Sequence, residues 1–250
     1  MSLLKLILYV CIVLTMYQPD LFEKCTPKEF VSISTLYKGE LCGWPDISEL
    51  FELSVDAYYA ALYARMSELP LSAEISRFIE KVLKAGRSFP NSKCTEARVS
   101  AARTASDLGD PDVSAVKKAA CKVQHEINRL TGFLRFNPDP NGVYTARCGP
   151  DHNILPALAE HFYIRFGEIP WVIIDEKRHL CLYREIGNQP KLLSLSAFLN
   201  SEAAGETQDD YWEDLWKLYH SSVNNETRKN LRLQHQFMPQ RYHKYLPEVT

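Results

Sequence analysis

The apolar residues of this 250-residue chain keep helical spacing up to about residue 130, and beyond it short strand-like runs alternate with helical ones, and that change limits the fold more than any other feature. From Asp46 to Met66 the residues Leu50, Phe51, Val55, Tyr58, Tyr59, Leu62 and Tyr63 recur at helical spacing, and Pro70 ends the run. Ser72 is placed to cap a second helix through Lys84, with Glu74 in its first turn and Gly86 as its stop. Helical spacing resumes at Val99 to Leu108. Asp110-Pro111 then opens a helix through Val113, Val116, Ala120 and Val123 to about Leu130.

After that point the runs are short and bounded by turn residues. Gly132 to Phe136 reads as a strand, Asn137 to Gly142 as a hairpin turn ending in Asn-Gly, and Val143 to Arg147 as the return strand. Asp151 to Asn153 can cap a helix through Phe166, on which Leu155, Leu158, Ala159, Phe162 and Phe166 share a face. Trp171 to Asp175 and Leu180 to Tyr183 read as strands joined by a tight turn. The pattern predicts a β-β-α-β-β unit, an antiparallel sheet with a helix laid on it. Gln189 to Gln208 reads as loop or short helix. An amphipathic helix follows over Asp209 to Val223, and a last one over Asn225 to about Phe237, stopped before Pro239. The predicted class is α+β: a mainly helical N-terminal part, a central antiparallel sheet and C-terminal helices. Residues 46–250 form one domain on this reading, helical over 46–130 and built of sheet and C-terminal helices over 131–250. The apolar segment 1–45 joins its core, since Leu3 to Met16 is short for a spanning helix and no small-residue cleavage pattern follows it.

An apolar fraction of 46% with 24% charged residues suits a soluble globular protein, and a net charge of −2 excludes a generally basic coat for nucleic acid. The seven cysteines are widely spaced with no Cys-x-x-Cys pair, which argues against a disulfide framework and for a reducing, cytoplasmic setting. Cys121/His125 and Cys148/His152 have Cys-x-x-x-His spacing, but neither has a second ligand pair, so no metal site is assigned. Glycine-rich phosphate loops, a Gly-x-Ser-x-Gly elbow and His-Glu-x-x-His are all missing, and no cofactor is implied.

The charge that is present is local. Between Lys217 and Leu246 six cations, Lys217, Arg228, Lys229, Arg232, Arg241 and Lys244, face one acid, Glu226, with Tyr219, Phe237, Tyr242 and Tyr245 interleaved. Clustered cations with planar groups between them suit nucleic acid. On a helix over 225–237, Arg228, Arg232 and His235 align as a stripe flanked by Lys229. The candidate nucleic-acid contacts are therefore Arg228, Lys229, Arg232, His235, Arg241, Tyr242 and Lys244. A solvated basic surface, neutralised by the six acids between Glu202 and Asp214, is the plainer alternative. Candidate chemistry lies elsewhere. His161 and Arg165 sit four apart on one helix. Arg135 lies inside an apolar strand and needs a carboxylate, for which Asp175 is the natural candidate. Asp175 also crowds Lys177 and Arg178 at a hairpin tip. The catalytic candidates are thus His161, Asp175, Arg135 and Arg178, and whether the chain is an enzyme stays open.

Several segments read together resemble a known family. They are Arg129-Leu-Thr-Gly-Phe-Leu-Arg-Phe136, Pro150-Asp-His-Asn-Ile-Leu-Pro156 with Ala159-Glu-His-Phe162 and Arg165, and Trp171-Val-Ile-Ile-Asp175 with Lys177-Arg178. Leu215-Trp-Lys217, Arg228-Lys-Asn230, Leu233-Gln234, Gln236-Phe-Met-Pro-Gln-Arg-Tyr242 and Lys244-Tyr-Leu246 complete the set. The chain is similar, from about Val55 to its C-terminus, to the bacterial family named "probable DNA metabolism protein", a domain of unknown function. The family has Trp where this chain has His243, and residues 1 to about 45 do not match it. The resemblance implies a setting more than a reaction. Family members occur alone, often beside a radical-SAM protein of DNA repair, or fused to a uracil-DNA glycosylase-like domain. With no room for that domain after Thr250, the resemblance implies the stand-alone form.

Three functions follow as expectations. The first is a DNA-binding accessory to a modification or repair enzyme. The second is an enzyme acting on nucleic acid, of hydrolase or glycosylase type, with a His/Asp/Arg site. The third is an adapter docking on the radical-SAM or glycosylase-like partner.

Overall fold

Several helices of this chain start at a side chain that bonds a free backbone N–H. The computed structural model describes residues 47–89, 94–201, 211–228 and 230–247; the segment 1–45, with its predicted core role, and Lys229 lie outside them. The single helix expected over Asp46 to Met66 is two, α1 (Ile47–Leu53) and α2 (Val55–Met66). Ser54 divides them: its backbone is extended (φ −153°) and its Oγ accepts from the Ala57 N–H at 3.2 Å. Helix α3 (Ser72–Arg87) is not capped by Ser72 as predicted, since Leu71 holds the cap position and makes no side-chain bond, and it runs through Gly86. A Cβ there would lie 2.5 Å from Leu53 Cδ1, so this glycine serves close helix packing and not the predicted stop. Cys94 caps α4 (Thr95–Ala105). Asp110 caps α5 (Pro111–Phe133), accepting from the N–H groups of Asp112 and Val113. Arg77 and Lys81 of α3 then bond Asp112, holding its carboxyl down to about 2.

Because α5 continues to Phe133, and Leu134 N–H still bonds Leu130 O at 3.1 Å, the strand expected over Gly132 to Phe136 does not form; the short β1 (Asn137–Pro138) lies instead at the start of the segment read as the turn. The hairpin itself forms: Asp139 Oδ1 accepts from Asn141 and Val143 N–H, and Gly142 takes φ 79°. After β2 (Tyr144–Cys148) come α6 (Leu155–Phe166), β3 (Trp171–Asp175), β4 (Leu180–Arg184), β5 (Lys191–Ser194) and α7 (Leu195–Leu199). The strands lie in the order β1-β2-β3-β4-β5. Three neighbouring pairs are antiparallel, but β2 and β3 run parallel, so the sheet is mixed and not antiparallel as expected. The reason is α6, a 12-residue crossover that returns the chain to the same end of the sheet. Strand β5 replaces expected loop or short helix, with Leu192 and Leu193 packing on opposite faces.

The same alternation explains why all of β3 is buried. Trp171 and Ile173 face the helical layer, while Val172 and Ile174 face a smaller cluster closed by Phe198 of α7. The larger cluster runs from Leu50 to Leu246 and joins both halves of the described chain. Its last members belong to the C-terminal segment: α8 (Tyr211–Val223), the 3-10 turn Glu226–Arg228, α9 (Leu231–Phe237) and the 3-10 helix Gln240–Tyr245. The one helix predicted over 225–237 is broken at Asn230 (φ −132°), whose Oδ1 accepts from Leu233 N–H at 3.0 Å. Among the described residues no helix is long and apolar enough to cross a membrane.

Candidate functional site

The parallel strands β2 and β3 end side by side at Cys148 and Asp175, the kind of edge where α/β sheets place their sites. The loop 149–154, which carries Pro150-Asp151-His152-Asn153, leaves β2 here. It does not cap α6 with a side chain as predicted; Ile154 occupies that position and makes no side-chain cap bond. The loop is gripped from both sides instead. Glu126, on the buried face of α5 and 1% exposed, accepts from Asp151 N–H at 2.8 Å, His152 N–H at 2.9 Å and the Tyr242 hydroxyl at 2.6 Å. On the carbonyl side, Arg178 NH1 donates to Pro150 O at 3.0 Å and NH2 to Asp151 O at 2.8 Å, with Lys177 Nζ 3.4 Å from Asp151 O.

Arg178 also holds two carboxylates. NH1 donates to Asp175 Oδ2 at 2.9 Å, and Nε and NH2 bond Glu68, whose carboxyl is kept below its ordinary range chiefly by that contact. Asp175 is fully buried and accepts from Lys177 and Arg178 N–H through Oδ1. The C-terminal 3-10 helix closes over this edge. Arg241 NH1 lies 2.8 Å from Asp151 Oδ2 and its NH2 3.0 Å from the Tyr242 hydroxyl. Tyr245 OH donates to Glu176 at 3.0 Å and Lys244 Nζ is 3.4 Å from the same oxygen. Burial works against ionised Glu176, but these bonds prevail and hold its carboxyl below the usual value. Burial and then Glu126 push the Tyr242 phenol up, so it stays a neutral donor.

Of the four catalytic candidates, Asp175 and Arg178 meet. Arg135 does not pair with Asp175: its NH1 donates to Gly132 O at 2.8 Å and its guanidinium lies 5.2 Å above the Trp216 ring. His161 packs edge-on to Phe162 on α6, and burial, then Arg165, lowers its pKa. Of the seven nucleic-acid candidates, Tyr242 is 1% exposed and in place as an internal donor, which corrects the expectation that it stacks on a base. Arg241 and Lys244 bond carboxylates of the loop edge. Arg228, Arg232 and His235 are exposed, but Asn230 keeps Arg228 and Arg232 off a common helix, so the predicted stripe does not form as one face. Lys229 lies outside the described residues. On α8, Trp216, Leu218, Tyr219 and Val223 are exposed, as are Leu231, Leu233 and Phe237 of α9. The expected apolar face of α8 is thus turned outward at every position whose side chain is described.

Sequence reading missed Glu126, the centre of the network. One signal was present: Val116, Ala120, Val123 and Leu130 make a buried helical stripe, and Glu126 falls within it. A carboxylate there must be paired. The network matches Glu126, Asp151, Asp175, Glu68 and Glu176 with Arg178, Arg241, Lys177, Lys244 and backbone N–H groups. Such a set anchors the C-terminal segment across the sheet edge and offers no unpaired nucleophile. Among the described residues no three His, Cys, Asp or Glu side chains gather as metal ligands.

The sequence pattern of the family described as "Domain of unknown function (DUF4130)" matches residues 92–248, starting later than the Val55 expected. No curated protein and no solved structure matches the chain.

Proposed function

We propose that this chain, which belongs to the DUF4130 family, is a nucleic-acid-binding accessory that works beside a DNA modification or repair enzyme. The observation that carries the reading is the exposed set in the C-terminal segment: Arg228, Arg232 and His235 with Trp216, Tyr219 and Phe237. Cations bind phosphates and release counterions, while exposed aromatic faces stack on bases. Arg241, Tyr242 and Lys244 act in this scheme as the anchor that holds the segment to the sheet edge.

Fluorescence anisotropy of labelled single- and double-stranded DNA across a salt series tests it. Wild type is expected to bind at low salt with a steep salt dependence, and the Arg228→Ala/Arg232→Ala pair to flatten the log–log slope for duplex DNA by about 2. Wild type that fails to bind at low salt removes this reading.

A second reading has its own support. Leu218, Val223, Leu231 and Leu233 are exposed aliphatics, which bury against protein and do not stack on bases. An adapter docking these helices on a radical-SAM or uracil-DNA glycosylase-like partner fits them, and failure to co-purify with either partner removes it. The enzymatic reading has no comparable observation, because His161 and Arg135 do not join Asp175 and Arg178 at one place.

A further inference from the structure

At the end of β3 opposite the Glu126 network, two buried donors have no acceptor among the described residues. Trp171 and Arg184 are directly paired across antiparallel β3 and β4, so their side chains stand on the same face of the sheet. Helix α6 covers that face: the Trp171 ring lies 6.2 Å from Phe162, and the Arg184 guanidinium lies 4.4 Å above the Tyr163 ring. Trp171 is fully buried and Arg184 is 2% exposed, yet the indole Nε1 and the guanidinium NH1 make no hydrogen bond. Buried polar groups are nearly always satisfied, so two directly opposed exceptions call for a partner.

The chemistry of the donors identifies the partner. An indole N–H and a guanidinium only donate, so the partner must accept. Arg184 Nε donates to Asn188 O at 3.2 Å, which is neutral. The carboxylate nearest to it among the described residues, Glu168, is 3.6 Å from NH2 and 78% exposed, too long for a hydrogen bond and open to solvent. Tyr163 OH accepts from Gln189 Nε2 at 3.3 Å and keeps its own proton to donate. A water would satisfy a neutral N–H but leave the buried guanidinium only the solvent-open Glu168 carboxylate, 3.6 Å away, and the Tyr163 ring face to offset its charge. We propose that Trp171 Nε1, Arg184 NH1 and Tyr163 OH form a binding site for a small oxyanion, a carboxylate or phosphate group, with Glu168 at its mouth as a weak competitor from within the chain.

The test uses the full chain labelled with 15N-tryptophan. Sodium phosphate and sodium acetate are titrated separately against sodium chloride at matched ionic strength, and the Trp171 indole cross-peak, identified with Trp171→Phe, is followed. A saturating shift with one oxyanion is expected, and which one produces it names the group. Glu168→Gln, at an exposed position, should tighten binding by up to about fivefold, since an exposed carboxylate is a weak competitor. Arg184→Gln should abolish the response; if that variant does not fold, Tyr163→Phe should weaken it. The proposal is overturned if the cross-peak stays still under both anions in wild type and Glu168→Gln. It is equally overturned if the peak moves linearly and as much with chloride, which would mean a general salt effect and no bound oxyanion.

Discussion

Replacing Glu126 by glutamine keeps its shape and removes an acceptor from the centre of the sheet-edge network. The carboxylate is acceptor-only and takes three donors: Asp151 N–H and Tyr242 OH on Oε1, and His152 N–H on Oε2. A carboxamide has one oxygen. If that oxygen takes the Oε1 place, the NH2 meets His152 N–H, donor to donor. In the other orientation Tyr242 can turn its hydroxyl to accept, but Asp151 N–H is left facing the NH2. Either way one part-buried backbone N–H loses its partner, at about 1–3 kcal/mol, and the surviving bonds fall from charge-assisted to neutral, at roughly 1 kcal/mol more. Glu126→Gln should therefore cost about 3 kcal/mol. In urea, with a slope of about 2 kcal/mol per molar, the midpoint should fall by roughly 1.5 M. Tyr242→Phe removes the 2.6 Å bond to Glu126 and the 3.0 Å bond from the half-exposed Arg241, leaves both backbone N–H groups paired, and should cost about half as much. Equilibrium unfolding followed by fluorescence and circular dichroism measures both. A Glu126→Gln protein within about 1 kcal/mol of wild type, or less affected than Tyr242→Phe, refutes the argument that three donors depend on this one carboxylate.

Two further outcomes follow from single positions. Burial raises the Glu160 carboxyl from 4.5 to about 7. The unfolded chain therefore loses this proton more readily, and stability should decline as pH rises from about 4.5 to 7, by about 3 kcal/mol in all. Glu160→Gln should remove that decline and be the more stable protein at pH 8; an unchanged pH profile would refute the assignment. Gly86→Ala gains roughly 1 kcal/mol of helix propensity but pushes a methyl into the buried Leu53 side chain, at about 1–3 kcal/mol. A net loss in thermal stability is expected, and a variant more stable than wild type would show that Leu53 yields freely.

Much of the local structure was legible because its causes are local. Trp171–Asp175 was read with its observed bounds, since a short apolar run between turn residues has few other solutions. The Asn137–Gly142 hairpin was legible from Asp139 and Gly142, which act on their own neighbours. The break at Ser54 was missed because one capping bond outweighed a continuous helical period. The break at Asn230 was missed for the same reason, and it removes the charge stripe that the periodicity implied.

The candidate site was less legible, because what makes it lies far apart in the chain. Tyr242 sits among cations in the sequence and reads as a contact for nucleic acid, but Glu126, 116 residues earlier, turns it inward. Asp175 and Arg178 were visible as neighbours, whereas Glu68, 110 residues from Arg178, was not. The sequence by itself determined the α+β class, the positions of the long helices and of the strands β2, β3 and β4, and the location of the charge, all through interactions within a few residues. Only the tertiary structure decided that β2 and β3 run parallel, that the loop 149–154 is held by Glu126 and Arg178, and which cations remain exposed. Those outcomes depend on burial. A carboxylate removed from water must collect whatever donors the fold brings to it, and no local pattern records which ones those are.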